Sequence, residues 1–217
     1  GTSSDFQLYH DGSDSFIKDT GTGGIRIDTN QLLCRNAAGD EYTIHATENG
    51  AVELYYNHVK TFETDPSGIK VTGPEGDAAH IYMFADEGDD TADKWAILAS
   101  AGGTFQIRNR STGSWVDNLI IDGSGRLLLG TTTEGFSEAD ELTINNAADH
   151  GGITIRTPSN KEGNIAFSDA TSGTGEYAGL IRYKHSTNDL ELRTASTVAL
   201  TIDSSQNATF AGSVYLS

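Results

Sequence analysis

Apolar and polar residues alternate with a period of two along most of the chain, which sets apolar side chains on one face of an extended strand. The alternation is plain in Ile25-Arg26-Ile27, Val52-Glu53-Leu54, Ile69-Lys70-Val71, Phe105-Gln106-Ile107 and Leu142-Thr143-Ile144. It continues in Ile153-Thr154-Ile155, Ile165-Ala166-Phe167, Leu190-Glu191-Leu192 and Leu200-Thr201-Ile202. Each run is short, and clusters of Gly, Asn, Asp and Ser separate the runs, as turns require. Helical periodicity is weak and confined to 137–142 and 91–99. The expected fold is all-β with at most one or two helical turns.

One unit recurs. Phe62-Glu-Thr-Asp65-Pro-Ser67-Gly68-Ile69-Lys-Val71-Thr-Gly73 is matched by Leu119-Ile-Ile-Asp122-Gly-Ser124-Gly125-Arg-Leu-Leu128-Leu-Gly130. A degenerate third copy is Leu200-Thr-Ile-Asp203-Ser-Ser205-Gln-Asn-Ala-Thr-Phe210-Ala-Gly212. Asp accepts hydrogen bonds from backbone N–H groups two residues on, and Gly takes φ > 0 without steric cost, so each copy reads as a β-hairpin. An ordinary tight turn explains any single copy. A second pair of strand–turn–strand units is Phe6 to Phe16 and Leu180 to Leu190. The spacing of the copies is irregular, which predicts a string of related hairpins and not a solenoid.

Composition divides the chain softly into an N-terminal hairpin segment at 1–74, a central β segment at 75–130 and a C-terminal hairpin segment at 131–217. The central segment holds an acidic loop and both Trp residues. Hydrophobic residues make up 36% of the 217, with 25 Gly and 3 Pro. That is below the ~45–50% of a typical soluble domain, so the apolar supply is thin for a compact globule. The net charge of −17 argues against a nucleic-acid backbone as partner, because phosphates are repelled. No stretch has the ~18 apolar residues of a membrane span, and none reads as a signal peptide. The single Cys34 excludes an internal disulfide framework and a Cys-based zinc site.

Several segments resemble tail-fibre and tail-spike proteins of bacterial viruses: Leu8-Tyr9-His10-Asp11-Gly12, Leu54-Tyr55-Tyr56-Asn57, Ala85 to Trp95, Trp115-Val116-Asp117, Leu127 to Thr133 and Tyr183 to Asn188. The stretch from Asn164 to Gly212 is similar to the segment that precedes an endosialidase-type intramolecular chaperone. The chaperone itself is expected to be absent from these 217 residues. The family implies a homotrimer, a virion location outside the host cell, and partners among other tail proteins and host-surface glycans or proteins. It also implies that Ser217 marks either a cleavage end or a boundary within a longer protein. Physical reasoning points the same way. Strands this short bury one or two side chains per face, and three chains around one axis pool those faces and cover exposed edges. The expected architecture is therefore an elongated, intertwined homotrimer of short β-hairpins, like a triple β-helix or β-prism.

Candidate chemistry is sparse, and the expectation is no catalytic residue and no cofactor. The sharpest constellation is Asp86-Glu87-Gly88-Asp89-Asp90-Thr91-Ala92-Asp93, whose oxygens suit Ca²⁺. It does not fit the helix–loop–helix calcium pattern, and the bland reading is a solvated acidic turn with Asp93 near Lys94. The histidines are His10, His45, His58, His80, His150 and His185, with no His-x-His pair; structural hydrogen bonds are expected of His10 and His185. Ser124 has no nucleophile elbow around it, and Gly23-Gly24 and Gly102-Gly103 lack the strand–helix context of a phosphate loop. Trp95 and Trp115 either stack on sugar rings or anchor a core. The resulting expectation is a structural virion protein that attaches to a host surface by weak multivalent binding. The alternatives are a polysaccharide-cleaving spike, hydrolase or lyase, with a carboxylate pair, and a secreted non-viral adhesive scaffold.

Overall fold

The computed structural model describes residues 5–146 and 148–215. Ser217, where the resemblance places a cleavage end, lies outside them. The protein is all-β, and its strands form one hairpin and three antiparallel meanders. The hairpin pairs β1 (Phe6–His10) with β2 (Ser15–Asp19). The first meander runs through β3 (Gln31–Arg35), β4 (Tyr42–Thr47), β5 (Val52–Tyr56), β6 (Val59–Asp65) and β7 (Gly68–Val71).

The middle meander comprises β8 (Ala79–Phe84), β9 (Lys94–Ala99), β10 (Phe105–Asn109), β11 (Val116–Ile121) and β12 (Leu127–Leu129), and β13 (Leu142–Ile144) adds in parallel to β12. The last meander is β14 (Glu162–Phe167), β15 (Gly179–Lys184), β16 (Asp189–Thr194), β17 (Thr197–Ile202) and β18 (Ala208–Phe210). The chain divides into two compact units, one ending at Asp149 and the other beginning at His150.

The meanders follow one template. In each, a bulge separates the third strand's last in-register residue from the next, at Leu54/Tyr55, Ile107/Arg108 and Leu192/Arg193. In each, the fourth and fifth strands are joined by one of the repeated Asp turns, at Asp65, Asp122 and Asp203. The turn chemistry is shared: the Asp65, Asp122 and Asp203 carboxylates accept from the N–H of Ser67, Ser124 and Ser205 at 3.0, 2.9 and 2.9 Å. Gly125 takes φ +85° in this turn, and Gln206 takes +67° at the same place in the degenerate copy.

Most of the alternating runs lie in strands, but two do not. Ile25–Ile27 has no partner strand among the described residues. Ile153–Ile155 packs against a sheet face instead of pairing with an edge: a Cβ on Gly163 would sit 3.6 Å from the Ile155 side chain. The two helical hints also resolve differently. Residues 94–99 form β9, because Trp95, Ile97 and Ala99 serve one face while Ala96 and Leu98 are buried on the other, and that continuous apolar run blurs the period. Residues 137–141 form turns leading to β13. The short 3₁₀ turns fall elsewhere, at Asp86–Gly88 and Gly173–Tyr177. The first and middle meanders meet at a tight connection that excludes any side chain at Gly73, since a Cβ there would lie 2.5 Å from the Ala78 carbonyl. No helix among the described residues is long and apolar enough to cross a membrane.

Candidate functional site

The register places one apolar row across each meander. It runs Cys34–Ile44–Leu54–Phe62–Val71 in the first, Ile81–Ile97–Ile107–Leu119–Leu129 in the middle and Ile165–Ile181–Leu192–Leu200–Phe210 in the last. Side chains two residues away along each strand extend the same face, because the strand period is two. Much of this first face is open: Ile44, Leu54, Ile69, Ile81, Phe105, Ile165, Phe167 and Phe210 are all exposed. The buried side chains lie on the opposite, second face. They are Glu63 in the first meander, Ala96, Leu98, Ile120 and Leu128 in the middle one, and Leu180 and Glu191 in the last. Five of these seven buried side chains are apolar, so the covered positions lie on the second face while much of the apolar first-face row stays open.

On the second face of the first meander, opposed strands bring His45, Glu53, Glu63 and Lys70 into line. Lys60 donates to Glu53 at 2.9 Å and also bonds Glu63, which pairs with Lys70 as well. Tyr55 donates its hydroxyl to Glu53 at 2.8 Å, and His45 lies 3.1 Å from the same carboxylate. The Lys60 ammonium and the Tyr55 hydroxyl hold the Glu53 carboxyl below its usual range, and Lys60 and Lys70 do the same for Glu63. Tyr42 stacks on His45 at 5.1 Å, and the Arg35 guanidinium lies over Tyr42 at 4.5 Å.

A smaller ladder stands in the last meander. Burial alone raises the Glu191 carboxyl, but hydrogen bonds from Lys184 and Arg193 outweigh it and leave the pKa lowered. Asp122 is lowered by the backbone N–H and guanidinium of Arg126, and Asp203 by the side-chain amide and N–H of Asn207. Every carboxylate with a resolved shift is pushed toward its charged form.

The acidic loop connects β8 to β9. Asp86, Asp89 and Asp93 bring carboxylate oxygens within 4.8 Å of one another, while Glu87 and Asp90 stay outside the group. Three consecutive residues, Asp86, Glu87 and Gly88, have φ of +43°, +62° and +71°, and this left-handed turn folds the carboxylates together. Chemically the group offers three carboxylates of like charge, and Ca²⁺ takes ~6–8 oxygen ligands.

Four more histidines make local contacts. His10 lies 3.4 Å from the Ser15 hydroxyl, His80 is 3.1 Å from the Ala78 carbonyl, His58 is 3.8 Å from Glu41 and His185 meets the Tyr183 ring edge-on. Trp95 and Trp115 occupy different surroundings: Trp95 stands on the first face, and Trp115 packs 5.8 Å from Tyr82, which lies on the second. His80, Tyr82 and Phe84 share that face along β8. This aromatic row is legible as alternation in His80-Ile81-Tyr82-Met83-Phe84, whereas the cross-strand ladders depend on register and have no local signal.

Compared with known proteins, the sequence matches no family model, and no curated protein matches it.

Proposed function

We propose that the chain is one third of a homotrimeric, elongated attachment fibre or spike of a bacterial virus. The observation that carries this reading is the open first face: each of the three meanders leaves much of a matching apolar row exposed, while its buried side chains lie on the other face. Three such rows facing a common axis form a closed apolar core, with each chain supplying one wall. Contiguous apolar surface on this scale marks an association surface. The charged ladders of the first and last meanders then face water, and three copies triple the charge of −17, which keeps a long particle soluble.

Function in this reading is adhesion to host-surface glycan or protein by three weak contacts, whose joint avidity exceeds that of one. Resemblance to tail fibres supports the viral setting. The test compares labelled wild-type protein with a Leu54→Asp variant on intact bacterial cells. Tight, saturable binding by the wild type and weak binding by the variant is the expected result. Equal binding by both contradicts multivalent attachment.

A further inference from the structure

The first meander departs from the other two at three side chains that meet on its second face. His45, Thr47 and Glu53 hold the places of Leu98, Ser100 and Gln106 in the middle meander and of Arg182, Lys184 and Glu191 in the last. The template closes with those other residues, so the sheet does not need this group to form.

His45 and Thr47 stand two residues apart on β4, which puts both on one face, and Glu53 is the partner of His45 across the ladder. The Thr47 hydroxyl lies 3.2 Å from His45 Nε2, and His45 Nδ1 lies 3.1 Å from a Glu53 oxygen. Lys60 and the Tyr55 hydroxyl hold Glu53 as an anion, and a carboxylate anion only accepts hydrogen bonds. Nδ1 therefore carries the imidazole proton, and Nε2 accepts from the Thr47 hydroxyl. Tyr42, stacked on the ring at 5.1 Å, fixes its plane.

A groove of about 460 Å³ opens at this end of the sheet, lined by Asn49, Gly50, Ala51, Glu63, Asp65 and Lys70. The Ala51 carbonyl accepts from the Thr47 N–H at 3.2 Å, so the groove borders Thr47. A Cβ on Gly50 would sit 3.1 Å from the Thr47 Cβ, and glycine there keeps the turn clear of that side chain. Asn49 has no side-chain hydrogen bond among the described residues, which leaves its amide to donate to a ligand.

We propose that Thr47, His45 and Glu53 form an acyl-transfer site that hydrolyses short-chain carboxylic esters. The activity goes beyond attachment and does not depend on it. A hydroxyl–imidazole–carboxylate chain activates an oxygen nucleophile, and it is recognised by geometry and not by sequence position. His45 Nε2 takes the hydroxyl proton as Thr47 Oγ1 bonds the acyl carbon. The ester C–O bond then breaks, and the same proton leaves with the alcohol. In the second half Nε2 takes a proton from water, whose oxygen bonds the acyl carbon. The acid departs as Oγ1 recovers the proton. The Asn49 amide is the donor for the oxygen that turns negative. The small and polar lining of the groove suits an acetyl-sized group better than a long acyl chain.

The test gives p-nitrophenyl acetate to the full chain, follows nitrophenol release and maps the acid-quenched protein by peptide mass. The expected result is release beyond one equivalent per chain, with an acetyl group trapped on the peptide that holds Thr47. Thr47→Val, nearly isosteric, should lose both, and Thr47→Ser should keep both. His45→Gln should slow release about a hundredfold, and it decides the matter if the valine variant misfolds.

Release no faster than in buffer overturns the proposal, as does a folded Thr47→Val variant as fast as the unmodified chain. Acetyl groups on Lys60 or Lys70 and none on Thr47 also overturn it, because they mark ordinary amine acylation. Particle mass of the same samples reports the trimer separately, so failure of one reading is distinguished from failure of the other.

Discussion

At matching register positions on the second face, the first meander carries His45, Glu53, Glu63 and Lys70, and the middle meander carries Leu98, Gln106, Ile120 and Leu128. On the first face the same two meanders carry the same kind of row, aliphatic throughout apart from Cys34 and Phe62. The difference separates two requirements. The row common to all meanders is what the proposed assembly needs, and the row that varies is free to be solvated by ion pairs or closed by aliphatic packing. A charged ladder and an apolar row therefore complete the same template, because only one face is constrained.

The largest effect should come from breaking the common row. Leu54→Asp puts a charge into the proposed three-chain core and should abolish assembly, while Glu53→Leu, one residue away on the opposite face, should leave particle mass unchanged. Light scattering of the two variants checks this, and loss of assembly by both removes the distinction between the faces. Next comes the aliphatic second row. Leu128, 2% exposed, should cost about 2–4 kcal/mol on replacement by Ala, read as a shift in the thermal midpoint.

Breaking a charged row should cost less. Glu191→Gln leaves Lys184 and Arg193 without their anion and should destabilise by about 2 kcal/mol in chemical denaturation. The same ladders set the acid response. Glu53, Glu63, Asp122, Glu191 and Asp203 have lowered folded-state pKa values, so their stabilisation is present above the unfolded value near ~4 and is lost as pH falls through the folded one. Thermal midpoints measured against pH should hold from neutrality to about pH 5 and decline below about pH 4. A midpoint that rises continuously on acidification would mean that relief of the −17 self-repulsion dominates the ladders.

The smallest expected effect lies in the turns. Gln206→Gly relieves a left-handed residue at the site where the second copy has Gly125, and should raise the midpoint by an amount equivalent to about 0.5 kcal/mol.

Much of the fold was legible in the alternation: Val52-Glu53-Leu54, Phe105-Gln106-Ile107 and Leu190-Glu191-Leu192 are the third strands of the three meanders. The Asp turns were legible too, because an Asx turn is written in contiguous residues. What the turns mark was not. They close five-stranded modules whose first strands at Leu32, Ile81 and Ile165 carry no repeated motif, only the alternation itself. Ile25–Ile27 and Ile153–Ile155 show the limit of period-two reasoning, which identifies a two-sided segment but not a pairing partner. At the acidic loop, composition located the carboxylates, and the choice of Asp86, Asp89 and Asp93 over Glu87 and Asp90 depends on three successive positive φ angles.

The central claim is that the exposed apolar rows meet one another in a three-chain core, and sedimentation equilibrium of the unmodified chain at low micromolar concentration tests it directly. The account predicts a single folded species with three times the 23.1 kDa chain mass, with no folded monomer on dilution. A folded, cooperatively melting monomer of 23.1 kDa would contradict it.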